Sequence, residues 1–187
     1  MNGAPPSLHD ELVQAIPNLR AFAMSLCGNA ARADDLAQET LLKAWDKRAS
    51  FEAGTNLKAW LFTILRNTFF SEQRKRQREV EDADGLLSAR LAVPPEQLGH
   101  MHASDFMNAL QQLPLDQREA LILVGAEGFS YEDVAAISGC AVGTIKSRVN
   151  RARQRLIGIL DMENATDFGT DRMSEAVLSH RPIARTG

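Results

Sequence analysis

The chain has 187 residues, 44% of them apolar and 24% charged, and Lys plus Arg at 21 against Asp plus Glu at 24 gives a net charge of −3. This is the mix of a globular protein of one or two domains, and it excludes a uniformly cationic DNA-coating protein while leaving room for segregated basic segments. No apolar run approaches the roughly 20 residues of a membrane span, and Met1-Asn2-Gly3-Ala4-Pro5-Pro6 has no signal-peptide pattern. Cys27 and Cys140 make neither a disulfide framework nor a metal cluster. A cytoplasmic protein with no metal, no cofactor and no membrane contact is therefore expected.

Leu12, Val13, Ile16, Leu19, Phe22, Ala23 and Leu26 recur at three- and four-residue intervals, which predicts a helix with one buried face. Pro17 should split that helix or open its second part, because it lacks an N–H and clashes with the preceding turn. Gly28-Asn29 supplies a stop. Asp34-Asp35 should open the next helix, where carboxylates meet the positive end of the helix dipole. That helix carries Leu36, Leu41, Leu42 and Trp45 and should end before Phe51. Phe51 to Asn56 has turn chemistry. Asn56 is expected to cap a long helix from Leu57 to about Arg78, burying Leu61, Ile64, Leu65 and Phe69. Trp60 falls on the same buried face.

Asp82 to Met101 lacks sustained periodicity and contains Gly85, Pro94, Pro95 and Gly99, so it reads as a flexible linker with a short helical turn at Gly85–Leu91. Helical patterning resumes at Ser104 with Phe106, Leu110 and Leu113 on one face, and Pro114 ends it. Asp116 is expected to cap a helix from Gln117 to Ala126, which Gly128 stops. Ser130 with Asp133 three residues on forms a capping box for a short helix to Ile137. A turn at Gly139-Cys140-Ala141 leads into a helix from Val142 to about Leu160. The tail from Asn164 has no periodic apolar face and is expected to be disordered. No segment reads as a strand. The expected fold is all-α, two small helical domains at residues 8–79 and 104–162, joined by the linker 80–103 and followed by the tail 163–187.

Charge is segregated along this chain. From Arg66 to Glu79 stand Arg66, Arg74, Lys75, Arg76 and Arg78 against Glu72 and Glu79, and from Val142 to Arg155 stand Lys146, Arg148, Arg151, Arg153 and Arg155 with no acid. An acidic stretch holding Glu81, Asp82, Asp84 and Glu96 lies between them. Basic stretches can be solvated helix faces or nucleic-acid patches. The second one follows a short helix and a glycine turn, the pattern of a helix-turn-helix. Ala135 and Ala136 are small enough for a close crossing, Val134, Ile137, Val142, Ile145 and Val149 can lock its angle, and Gly139 supplies a positive φ. The second helix would enter a major groove with Gly143, Thr144, Lys146, Ser147 and Asn150 at or near its leading end. Arg148, Arg151 and Arg153 stand further back, for bases or phosphates. An αα-hairpin that packs on another protein is the alternative, but it would not require five cations and no acid in one helix.

Gln117-Arg118-Glu119-Ala120-Leu121, Gly128-Phe129-Ser130-Tyr131-Glu132-Asp133-Val134-Ala135 and Gly143-Thr144-Ile145-Lys146-Ser147-Arg148-Val149-Asn150-Arg151-Ala152-Arg153 resemble region 4 of the bacterial sigma-70 family. The resemblance is to its extracytoplasmic-function (ECF) class, and within it to the general-stress-response sigma factors. Asp34-Asp35-Leu36-Ala37-Gln38-Glu39-Thr40-Leu41-Leu42-Lys43-Ala44-Trp45 is similar to region 2.2, the surface that binds core RNA polymerase. The resemblance implies Asp35, Gln38, Glu39, Leu42 and Trp45 as polymerase contacts, with Glu39 and Leu42 exposed. Asn56-Leu57-Lys58-Ala59-Trp60-Leu61-Phe62-Thr63-Ile64-Leu65-Arg66-Asn67 looks like regions 2.3 and 2.4, which take the −10 element as a single strand. It implies Phe51, Thr55, Asn56, Arg66, Asn67 and Arg74 as −10 contacts, the loop 51–56 receiving a flipped-out base.

On this resemblance the chain directs core RNA polymerase to stress promoters, reading −35 duplex with Gly143, Thr144, Lys146, Ser147, Arg148, Asn150, Arg151 and Arg153. The polymerase does the chemistry, so no catalytic residue is needed. The implied partners are core polymerase, promoter DNA and a small helical anti-sigma factor, itself controlled by a sigma-mimicking response regulator. The free chain is expected to be extended, and to close when an inhibitor binds. A helix-turn-helix regulator would not carry the region 2 string, and a sigma mimic would need a receiver domain. An enzyme is disfavoured, since His9, His100, His102 and His180 have no partner set for catalysis.

Overall fold

The structure, a computed structural model, describes residues 7–52, 54–81 and 103–160. Among them the chain is all-α, with no strand. Helices α1 (Leu8–Cys27), α2 (Ala30–Asp46) and α3 (Leu57–Glu81) form one bundle. Helices α4 (Ala103–Gln111), α5 (Leu115–Gly125), α6 (Tyr131–Ser138) and α7 (Val142–Leu160) form a second. The expected linker, its helical turn and the expected disordered tail lie outside the described residues, apart from the linker's two ends.

The first bundle buries Leu19, Phe22 and Leu26 of α1 against Leu36 and Ala37 of α2 and Leu61, Phe62, Leu65 and Phe69 of α3. Phe22 and Phe62 stack with ring centroids 4.9 Å apart. Each such side chain contributes about 1.5–3 kcal/mol by leaving water. That sum explains why Pro17 does not split α1. The helix runs unbroken through it, because Leu12 before the proline and Leu19 after it are both buried. An interruption would withdraw one of them from the core, which offsets the roughly 3 kcal/mol that an interior proline costs.

Gly28 ends α1 in the left-handed region, at φ 67°. Helix α2 starts four residues earlier than its acids suggest. The Asn29 side chain accepts from the Arg32 N–H at 2.9 Å, so a true N-cap sets the start, and Asp34 and Asp35 fall in the second turn. Asn56 caps α3 as expected, accepting from the Ala59 N–H at 3.0 Å.

In the second bundle the capping box at the start of α6 is complete. Ser130 Oγ accepts from the Asp133 N–H at 3.0 Å, and the Asp133 carboxylate takes the Ser130 N–H at 3.2 Å. Ser130→Ala is expected to cost about 1 kcal/mol, read as a lower urea midpoint with an unchanged slope. Asp116 does not cap α5. Pro114 holds the cap position without a side-chain bond, and the Asp116 carboxylate instead takes Arg148 Nε at 3.1 Å, tying α5 to α7. Gly139 closes α6 at φ 64° and its N–H returns to Ala135 and Ala136. Of the two small residues expected at the helix crossing, Ala135 is buried and Ala136 faces solvent. Val134, Ile137, Ile145 and Val149 are buried there.

The two bundles dock directly, α1 against α4 and α5, and α3 against α6. The sequence-based expectation of an extended free chain is not what the structure shows. Part of the cause is two buried charged groups of α5 that reach into the first bundle, Arg118 to the end of α1 and Glu119 to Arg66.

Candidate polymerase and DNA interfaces

On α2, Leu36, Ala37, Thr40 and Ala44 face the core. The opposite ridge, at three- and four-residue spacing, presents Asp35, Gln38, Leu42 and Trp45 to solvent. Leu42 is 67% exposed and Trp45 45%. Glu39, half-buried beside the ridge, pairs with Lys43 at 2.7 Å. Lys43 also donates to Thr68 of α3 at 3.0 Å, which anchors this face to the bundle. Arg48 lies over the Trp45 ring at 4.8 Å and donates to the Trp45 carbonyl at 2.8 Å. The result is a ridge with a carboxylate at one end and two uncovered apolar side chains at the other. Charge steers encounter with a partner and apolar contact then holds it.

At the start of α3, Phe51 packs on Trp60 with centroids 5.0 Å apart. Trp60 is half-buried and packs against the core, which fits the core reading. Thr55 donates to the Glu52 carbonyl at 2.7 Å, giving the loop an internal tie. Thr55, Asn56, Asn67 and Arg74 are exposed. Arg66 points elsewhere. It forms an ion pair with Glu119 of α5, whose side chain is 1% exposed, and its guanidinium lies over the Phe70 ring at 4.6 Å. The sequence grouping of Arg66 with the other −10 residues therefore spans two faces of one helix.

On α7, Ile145, Val149, Ala152 and Leu156 are buried. Gly143, Thr144, Lys146, Asn150 and Arg151 are exposed, and Ser147 is half-buried. A Cβ at Gly143 would meet nothing within 4 Å, so the backbone there is open to close approach. Arg148 is held by Asp116 and reaches Cys140 Sγ at 3.8 Å. Arg153 is half-buried, with Nε lacking a hydrogen-bond partner among the described residues. The solvent-facing cations of the expected DNA surface in this arrangement are thus Lys146 and Arg151.

The junction between the bundles was not legible as a site. Arg118 of α5 donates to the carbonyls of Ser25 and Leu26 at the end of α1, each at 3.1 Å. It also donates to the carbonyls of Gln111 and Leu113, each at 3.1 Å, and to the Gln111 side chain. Burial pulls its pKa down to about 10, still well above neutrality. Burial pushes the Glu119 carboxyl up, against the opposing pull of Arg66 and Arg148. Lys58 pairs with Glu127 at 3.0 Å and sits 5.0 Å over the Phe129 ring. The signal that could have found this junction is the run Gln117-Arg118-Glu119 inside a helix flanked by apolar residues on both sides. Charged residues are almost never fully buried unless paired. Among the described residues no three His, Cys, Asp or Glu side chains converge as a metal would require, and no helix is long and apolar enough to cross a membrane.

A three-helix bundle with an exposed acidic and apolar ridge, followed by a helix-turn-helix with a cationic face, defines a transcription initiation factor. The family model of sigma-70 region 2 matches residues 12–79, and that of sigma-70 region 4 matches residues 104–156. The chain belongs to the sigma-70 family, in its ECF class. It is 62% identical over 172 residues to the ECF RNA polymerase sigma factor EcfG of Rhodopseudomonas palustris, covering 92% of this chain and 95% of that one. Among solved structures it is similar to the sigma factor RpoE of Bartonella quintana, determined in complex with the anti-sigma factor NepR. That match has 58% identity and a TM-score of 0.74 over 83% of this chain and 98% of that one. The PhyRSL–NepR complex from Sphingomonas sp. shares the fold at 18% identity, with a TM-score of 0.57 over 97% of this chain and 96% of that one.

Proposed function

We propose that the chain binds core RNA polymerase through the α2 ridge of Asp35, Gln38, Glu39, Leu42 and Trp45 and directs it to general-stress promoters from the cytoplasm. The observation that carries this reading is the exposure of Leu42 and Trp45 on a helix whose other face is fully packed. Large apolar side chains grouped in the open mark a docking surface. Residues 8–79 act as the polymerase-binding and −10 domain, and residues 104–162 as the −35 domain. The loop 51–56 with Asn67, Arg74 and, once freed, Arg66 takes the −10 single strand. Gly143, Thr144, Lys146, Ser147, Asn150 and Arg151 read the −35 duplex, with Arg148 and Arg153 flanking them. The polymerase supplies the chemistry, so the chain itself is not an enzyme. The RpoE–NepR relative supports a small helical anti-sigma factor as its inhibitor, and the PhyRSL fold likeness supports a sigma-mimicking response regulator as the control on that inhibitor.

Run-off transcription with core polymerase and a panel of promoters tests this. New start sites that depend on the chain are expected, sharing one −35 and one −10 sequence. No chain-dependent transcript from any promoter would overturn it. Within that assay Arg151→Ala is expected to weaken promoter binding. If it loses a phosphate contact, the salt slope of the affinity falls by about 0.9. If it loses a base edge, about 1–3 kcal/mol is lost at one promoter position.

A further inference from the structure

The cations of α3 that face the second bundle are both taken by carboxylates from it. Lys58 and Arg66 stand eight residues apart, two turns along one face. Lys58 binds Glu127 Oε2 at 3.0 Å and the Glu127 carbonyl at 2.7 Å, and Asn18 of α1 donates to the same carboxylate at 3.2 Å. Arg66 binds Glu119. The two carboxylates are 3% and 1% exposed in the docked arrangement. Between the pairs, Phe129 packs edge-on against Phe62, with centroids 5.3 Å apart.

Carboxylate and phosphate oxygens make the same kind of charge-assisted hydrogen bond to a guanidinium or ammonium group. We propose that the chain masks part of its own single-strand surface, Glu119 and Glu127 standing in for phosphates on Arg66 and Lys58. Docking of the second bundle and seating of a nucleic-acid strand on this face then exclude each other, with no inhibitor present. The inference rests on the reading of α3 as the −10 surface and adds an intramolecular control to it.

The contact is built to be releasable. A buried ion pair contributes little net stability, because desolvation offsets most of the Coulombic gain. The remaining polar links are Arg118 to the α1 carbonyls and Gln111 Nε2 to the Ser25 carbonyl at 3.0 Å, and the apolar contact of Phe129 on Phe62 stands beside them. Separation returns Lys58, Arg66 and Glu127 to water. Glu119 keeps the Ser138 hydroxyl at 3.5 Å and the nearby charge of Arg148, while its Oε2 has no hydrogen-bond partner among the described residues even in the docked form. The residues between Glu81 and Ala103 reach at most about 70 Å when fully extended, enough for the bundles to part completely.

The test uses the full chain, a fluorescein-labelled AT-rich single-stranded DNA of promoter length, and small-angle scattering. The double variant Glu119→Gln with Glu127→Gln should expand and bind the strand more tightly. If the unmasked form of the parent chain is about a tenth of the population, the gain is about tenfold. Adding Arg66→Gln to the double variant should remove most of the gain, whereas Glu132→Gln, an exposed acid that pairs with neither Lys58 nor Arg66, should give none. Glu127→Gln alone leaves the Arg66–Glu119 pair in place and gives a smaller gain in the same direction, should the double variant melt early. Expansion without tighter binding overturns the masking. Tighter binding equally produced by Glu132→Gln reduces it to general charge and overturns it as well. Unchanged size and affinity show that the carboxylates do not hold the junction. Run-off transcription by the unaltered chain with core polymerase separates these failures from failure of the function itself.

Discussion

Arg118→Ala is expected to lower the unfolding free energy by about 3 kcal/mol, among the larger effects of any single change outside the apolar core. The guanidinium serves two helix ends at once. At the end of α1 it takes the carbonyls of Ser25 and Leu26, and at the end of α4 those of Gln111 and Leu113. The last four carbonyls of a helix have no partner within it, so those of Ser25, Leu26 and Gln111 need an outside donor, and Leu113 lies in the turn just beyond α4. Alanine would leave four carbonyls without this donor, at about 1–3 kcal/mol for each that stays buried. The total is smaller than that sum because parting of the bundles lets water reach the α1 carbonyls, while those of α4 stay inside their own bundle. Arg118→Lys should recover only a fraction, since one ammonium cannot fork to both helix ends. Urea unfolding followed by circular dichroism reads the loss. A midpoint within error of the unaltered chain for Arg118→Ala would mean that the junction contributes nothing to the folded state.

The contrast between what the sequence made legible and what it hid follows from the range of the interactions. Gly28 and Gly139, the Ser130–Asp133 box and most of the apolar spacing along α1, α3 and α7 are local signals with their expected place in the fold, although Val13, expected on the buried face of α1, is 50% exposed. Pro17 and Asp116 misled because tertiary contacts outweighed a local preference, the buried Leu12 and Leu19 in the first case and Arg148 in the second. The charge count could gather Arg66, Arg148 and Arg153 into basic stretches, but charge along a chain does not say which way a side chain turns. Arg66 and Arg148 meet carboxylates of the protein itself. Leu42 and Trp45 pose the reverse problem. At helical spacing they look like core residues, and only the likeness to region 2.2 marked them as surface. Among the described residues they stand in the open.

Trp45→Ala is the change expected to weaken core polymerase binding most, by at least about 2 kcal/mol, or roughly 30-fold, the size of an interface hot spot. Tryptophan brings a large rigid apolar face at low entropic cost, and this ring is half out of water before any partner arrives. Arg48 stacks on one face of it, which fixes the ring in place and leaves the other contacts to the polymerase. Leu42→Ala should cost less even though Leu42 is the more exposed of the two, because leucine is under-represented among hot spots. The folded state should hardly notice either change. Trp45→Ala forfeits the cation–π contact with Arg48, worth about 0.5–1 kcal/mol at an exposed site, and Leu42→Ala should stay within about 0.5 kcal/mol. Surface-immobilised core polymerase titrated with each variant gives the affinities, and thermal melts of the same samples give the stabilities. If Trp45→Ala melts far below the unaltered chain while its affinity for polymerase is preserved, the ring is structural and the polymerase grips another face.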